Sequence, residues 1–235
     1  MKSFIISPPF GKFITNNKCT SVLGTYTLYK RGNLVKKLYR AITTIRPVEN
    51  GWINNIGLQN PGIQSIKEFN PEKIYSIAVI QSEEWDKLID YIPKETMVEL
   101  NLSCPNINQK PEIRDQQTIA YINKFPVVIF KLSPTKEIYN QIDRLISLGA
   151  QYIHIANTIP VNKGGESGER LKLFSIKTIR DIRGKYPDIK IIGGGGIYSK
   201  KDIELYKNAG ADYFSLATIW FKPWKAIQLI KKCPL

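Results

Sequence analysis

Histidine, cysteine and methionine are nearly absent from this 235-residue chain, which has one His, three Cys and two Met. The cysteines, Cys19, Cys104 and Cys233, show no paired spacing. That excludes a Cys-ligated zinc cluster and a disulfide framework, and a reducing, cytoplasmic compartment is expected. Long apolar runs are missing too. None approaches the roughly 18 residues of a membrane span, so no membrane association is expected. The stretch Met1 to Phe10, interrupted by Pro8 and Pro9, lacks the apolar core of a signal peptide. There is no internal repeat, low-complexity tract or linker, so residues 1–235 read as a single domain.

Negative charge is also in deficit, with 20 Asp and Glu against 34 Lys and Arg, a net charge of +14. The lysines are scattered as singles and pairs (Lys36-Lys37, Lys200-Lys201, Lys231-Lys232) rather than gathered into a basic tract. No RNA-recognition, zinc-finger or arginine-rich motif is present, so no specific nucleic-acid binding is expected. A basic surface does suit a small anionic substrate or a phosphate-bearing cofactor.

What is present is alternation. Apolar runs at Phe4 to Ser7, Ser21 to Thr27, Ser76 to Ile80, Val98 to Leu102, Val127 to Leu132, Tyr152 to Ala156, Ile189 to Ile192 and Tyr213 to Leu216 read as eight strands. Helical segments are expected at Glu83 to Ile92, Gln116 to Asn123, Lys136 to Leu148, Phe174 to Lys185, Lys200 to Asn208 and Trp224 to Lys231. The pattern predicts an α/β fold, a (β/α)8 TIM-type barrel. Its first β/α unit is short, because only Pro8 to Thr20 join the first two strands. Residues 28–69, with turn signals at Gly32-Asn33, Asn50-Gly51 and Pro61-Gly62, read as an elaborated loop at the barrel mouth.

In such barrels the site lies at the C-terminal strand ends, and polar signals fall there. Asn101-Leu102-Ser103-Cys104-Pro105-Asn106 follows the fourth strand. Its thiol, with an ordinary pKa of about 8.5, can serve as base or nucleophile, although a buried structural cysteine is the plain alternative. Lys131 alternates in phase with Ile129 and Ser133, facing the barrel interior, while Val128, Phe130 and Leu132 face the helices. Glu99, in phase with Asn101, is placed to pair with Lys131, either as a structural ion pair or as part of a site. His154 is out of phase with Asn157 and is expected to face the helices in a structural role. Gly193 to Gly196 precede a helix and could cradle a phosphate, or could be only a tight turn. Gly164 to Gly168 read as a second flexible loop.

Taken together, these segments resemble the dihydroorotate dehydrogenase family, FMN-dependent barrels of pyrimidine synthesis. The resemblance runs from about Arg31 to Trp220. It is carried by Gly32-Asn33, Ile53 to Gly62, Asn101 to Asn106, Lys131-Leu132-Ser133-Pro134, Asn157-Thr158, Gly164 to Gly168, Gly193 to Ile197 and Ala209 to Asp212. It implies that Cys104 is the base removing a proton from C5 of dihydroorotate while hydride passes from C6 to the flavin, and Cys marks the soluble class 1 enzymes. Asn54, Asn101, Asn106, Asn157 and Thr158 would hold the substrate, with the backbone near Gly57 and Leu58. Asn101 and Lys131 would lie against FMN, and the loops at Gly165, Gly195-Gly196 and Ala217-Thr218 would bind its phosphate.

The sequence departs from the family pattern in three places. Leu23, with Gly24 beside it, stands where a second-strand lysine is usual. Ser7 to Gly11 replace a small-residue turn, and Ala217 and Ile219 replace glycine and a small residue. The class implies a homodimer passing electrons to fumarate, or an iron–sulfur electron-transfer subunit passing them to NAD. The residues leave two other readings open: another FMN-dependent dihydropyrimidine oxidoreductase, and an impaired barrel acting as a binding or scaffold protein.

Overall fold

The computed structural model describes residues 1–32, 43–49, 51–55, 57–102, 113–162 and 164–233. Among these, the strands are β1 (Phe4–Ile6), β2 (Cys19–Tyr26), β3 (Arg46–Val48), β4 (Gly51–Asn54), β5 (Ile74–Ile77), β6 (Met97–Asn101), β7 (Val127–Leu132), β8 (Tyr152–Ile155), β9 (Ile159–Val161), β10 (Gly164–Gly168), β11 (Lys190–Gly194) and β12 (Tyr213–Leu216). The α-helices are α1 (Glu84–Tyr91), α2 (Asp115–Lys124), α3 (Ile138–Ser147), α4 (Glu169–Lys185), α5 (Lys200–Ala209) and α6 (Pro223–Lys232). Parallel strands in the order β1-β12-β11-β8-β7-β6-β5-β2 close into a barrel, β2 pairing back onto β1. This is the predicted eight-stranded architecture. No helix among the described residues is long and apolar enough to cross a membrane.

Local chemistry sets several element ends. Ser199 caps α5 by accepting from the Asp202 N–H, Asp202 returns the bond to the Ser199 N–H, and Gly210 ends the helix in the left-handed region. Pro223 opens α6, where its missing N–H costs nothing. The first crossover holds only a 3-10 turn, Phe10–Lys12. Gly11 lies so close to β2 that a Cβ there would stand 2.3 Å from the Val22 carbonyl oxygen, and a full helix on that side has no room.

The described part of the mouth insertion carries strands. β3 and β4 form a hairpin in which Val48 pairs with Gly51, and β4 pairs with β10, which pairs with β9, all antiparallel. Gly164 to Gly168, expected as a flexible loop, is therefore a central strand of a second sheet. Its glycines hide it from strand propensity. They also permit the pairing, since a Cβ on Gly164 would lie 2.1 Å from the Asn54 carbonyl oxygen.

Two apolar layers build the core. Val128, Phe130 and Leu132 join the layer between barrel and helices, as the alternation predicts. Inside the barrel, Ile5, Val22, Ile74, Ile129 and Ile192 pack into a plug at the N-terminal end, with Met97, Val127, Tyr152 and Tyr213 around it. One tier further along the strands the interior turns polar, with Ser7, Ser76, Glu99, His154 and Ser215 all buried. The apolar plug is the floor of the site. Ile129→Ala should cost about 2–5 kcal/mol in urea unfolding, whereas Leu173→Ala, at a side chain 65% exposed, should stay within about 0.5 kcal/mol. Equal shifts for the two would refute the plug.

Candidate active site

Three neighbouring strands carry the charged centre. Glu99 on β6 and Lys131 on β7 face one another across the barrel interior, with Lys131 Nζ 3.9 Å from Glu99 Oε1. The expected pairing is present. His154 on β8 is the register neighbour of Lys131 and is 1% exposed. Its ring nitrogen Nδ1 lies 2.8 Å from Glu99 Oε2. His154 therefore faces the interior, not the helices. The expectation failed because it counted phase back from Asn157, which lies beyond the end of β8 at Ile155, where strict alternation no longer holds.

Electrostatics fix the protonation states here. Burial opposes ionisation of Glu99, but the Lys131 charge, the His154 hydrogen bond and charge, and the Ser76 hydroxyl together hold its carboxyl at about 2. Burial and the Lys131 ammonium keep His154 below its ordinary pKa, against the pull of Glu99. Near neutral pH the glutamate is thus charged and the histidine neutral. A neutral ring beside a carboxylate must donate from Nδ1.

Above this cluster a chain of amides and hydroxyls runs to the barrel mouth. The Thr25 and Ser76 hydroxyls are 3.0 Å apart. Asn101 Nδ2 donates to Thr25 Oγ1 at 3.2 Å, and Asn157 Nδ2 donates to Asn101 Oδ1 at 2.9 Å. The Thr158 N–H donates to Asn157 Oδ1 at 3.0 Å. Asn101, Asn157 and Thr158 are thus brought together, and Thr25 and Ser76 join them. Asn54, at the end of β4, reaches the Gly165 carbonyl at 3.4 Å across the second sheet. Gly57 has φ +73°, and Leu58 packs on Ala78 beyond the end of β5. Cys104 and Asn106 lie outside the described residues.

The second strand carries no inward side chain at the family's lysine position. Leu23 packs against the outer core. Gly24 follows with φ +118°, and a Cβ there would stand 2.5 Å from the Ser76 carbonyl oxygen. No side chain fits at residue 24 in this backbone.

The glycine loop after β11 forms a separate end of the site. Gly196 has φ +65°, and its Cβ position is 2.7 Å from the Gly168 carbonyl oxygen, so only glycine fits. Tyr206 and Ser175 hold the Gly194 carbonyl, and Tyr206 also donates to that of Gly195.

A cavity of about 350 Å³ opens beside this loop, lined by Trp52, Glu169, Tyr198, Thr218, Lys222 and Lys225 among others. Tyr198 Oη and Thr218 Oγ1 are 2.6 Å apart, and Ala217 precedes the 3-10 turn that carries Thr218. Glu169 is paired with Lys172, which Asp202 also holds. Lys222 and Lys225 form no ion pair among the described residues. The donor set suits a phosphate. Sequence reasoning missed Trp52, Lys222 and Lys225, although Lys222 and Lys225 flank the readable start of α6 at a helical i, i+3 spacing.

A family model described as dihydroorotate dehydrogenase matches residues 24–233. The dihydroorotate dehydrogenase B (NAD(+)) catalytic subunit of Oceanobacillus iheyensis is 29% identical over 261 residues, covering 96% of this chain and 85% of that protein. The proteins of the same name from Geobacillus sp. and Sulfolobus acidocaldarius are 30% and 28% identical, covering 79% and 77% of this chain and 70% of each. The crystal structure of DHODH in complex with ferulenol from Eimeria tenella superposes with a TM-score of 0.75 at 16% identity, over 97% of this chain and 79% of that one, a likeness of fold. With its barrel closed, its mouth lined by the asparagine pair and a family model spanning most of its length, the chain belongs to the dihydroorotate dehydrogenase family of oxidoreductases.

Proposed function

We propose that this chain oxidises dihydroorotate to orotate with FMN bound across the barrel mouth. The observation that carries the reading is the hydrogen-bonded Asn101–Asn157 pair beside Lys131, three polar groups on the ends of the adjacent strands β6, β7 and β8. A flat ring rich in N–H and C=O groups is the ligand such an arrangement recognises. FMN supplies the hydride acceptor. Asn54, Asn101, Asn106, Asn157 and Thr158 orient the substrate ring and carboxylate, with the backbone at Gly57 and Leu58. Lys131 sets a positive charge against the region where negative charge develops. Gly165, Gly195, Gly196, Ala217 and Thr218 hold the phosphate end, where a glycine loop and the ammonium groups of Lys222 and Lys225 favour an anion.

Cys104 is the base that takes the C5 proton. Support comes from the other two thiols. Burial pushes Cys19 up to about 11, against the nearby Lys2, and burial also raises Cys233. Neither is available as thiolate near neutral pH. His154 donates Nδ1–H to Glu99 and is committed below the mouth. The relatives' designation as catalytic subunits of an NAD-linked enzyme supports an electron-transfer subunit as the partner of this chain.

Two outcomes test the reading. Cys104→Ala should retain FMN yet lose at least about 100-fold in the rate of flavin bleaching by dihydroorotate at pH 7; a stopped-flow rate close to wild type would remove Cys104 from the role. Replacing Lys222 and Lys225 together by Ala should weaken FMN binding about tenfold and leave riboflavin affinity unchanged, measured by calorimetric titration. Equal losses for both ligands would show that the lysines do not meet the phosphate.

A further inference from the structure

We propose that His154 is a positioning residue for Lys131, acting through Glu99 to keep the lysine ammonium at the barrel mouth. The inference rests on the function proposed above. Glu99 meets Lys131 and His154 through different oxygens. Oε2 lies 2.8 Å from His154 Nδ1, whereas Oε1 lies 3.9 Å from Lys131 Nζ and has no hydrogen-bond partner. An ammonium and a carboxylate free to move close to about 2.8 Å. Here they stop short.

The ring of His154 holds one oxygen, so the carboxylate cannot rotate to offer both to Lys131. Gly194 lies beside that ring, where a Cβ would stand 3.3 Å from His154 Nε2 and 2.9 Å from Ser215 Cβ. Lys131 is register neighbour to Asn101 on one side and His154 on the other. An ammonium kept out of a contact pair therefore stands beside the Asn101–Asn157 amides rather than deeper in the barrel. The charged groups facing His154 are Glu99 from β6 and Lys131 from β7. The neighbouring interior positions on β5, β11 and β12 hold Ser76, Gly194 and Ser215. Burial and Lys131 keep the ring neutral, so it adds a donor without adding a charge that would repel the lysine.

His154 is the only histidine in the chain, so protein labelled with nitrogen-15 histidine gives a single pair of ring signals. We expect the Nδ1–H tautomer, still neutral below the ordinary histidine range near 6.5. A ring protonated on Nε2, or one titrating at or above its ordinary value, overturns the proposal whatever the variants do. The second readout is the midpoint potential of bound FMN. His154→Leu removes the donor, and the reduced flavin should lose about tenfold in relative stabilisation, ~30 mV for a two-electron couple. His154→Asn, whose amide nitrogen takes the place of Nδ1, should restore most of the shift. Flavin bound at an unchanged potential in His154→Leu, or equal shifts in the Leu and Asn variants, overturns the proposal alone. A wild-type protein that takes up no flavin overturns the functional reading and this proposal with it.

Discussion

A full negative charge inside a barrel is the constraint around which the upper tier of this molecule is arranged. Glu99 is 1% exposed, and burying a lone carboxylate costs several kcal/mol. It is tolerated because Lys131, His154 and Ser76 surround it, each on a strand adjacent or next to adjacent to β6. Those three side chains in turn dictate their neighbours. A Cβ on Gly194 would press on Ser215 at 2.9 Å and stand 3.3 Å from the histidine ring, and Ser76 extends the network to Thr25, Asn101 and Asn157. The apolar plug beneath excludes water from the pair. Removing one member would leave the others unpaired, so the tier stands or falls as a unit.

Close backbone approach is the second organising device, and glycine supplies it. Gly164 brings β10 against β4, and Gly196 brings the loop after β11 against Gly168 at the start of α4. Thr158 leads directly into β9, the outer neighbour of β10. The second sheet thereby ties the asparagine end of the mouth to the glycine end. One flat ligand spanning both would touch strand ends from nearly all of the barrel, which is how this fold assembles a site from many short contributions.

Much of this was legible in the residues because periodicity survives wherever burial is regular. The strands Val127–Leu132 and Tyr213–Leu216 and the inward face of Lys131 follow from alternation alone. The readings that failed did so where alternation stops or side chains vanish. His154 was assigned by counting from a residue past the strand end. β10 carries three glycines in five residues and offers no pattern to count. Periodicity at the second strand gives no warning that Leu23, at the family's lysine position, packs outward, or that Gly24 beside it takes a φ of +118°. Lys222 and Lys225 read as ordinary surface lysines, since only the folded chain brings them to the cavity beside Thr218.

On the function proposed, this mouth holds FMN and passes dihydroorotate's hydride to it. An anaerobic visible spectrum of the purified protein supplied with FMN, recorded before and after dihydroorotate is added, tests that claim most directly. The expected result is protein-bound flavin absorbance that bleaches on addition. Bound flavin that stays oxidised would contradict the substrate, and a protein that remains colourless after incubation with FMN would contradict the site itself.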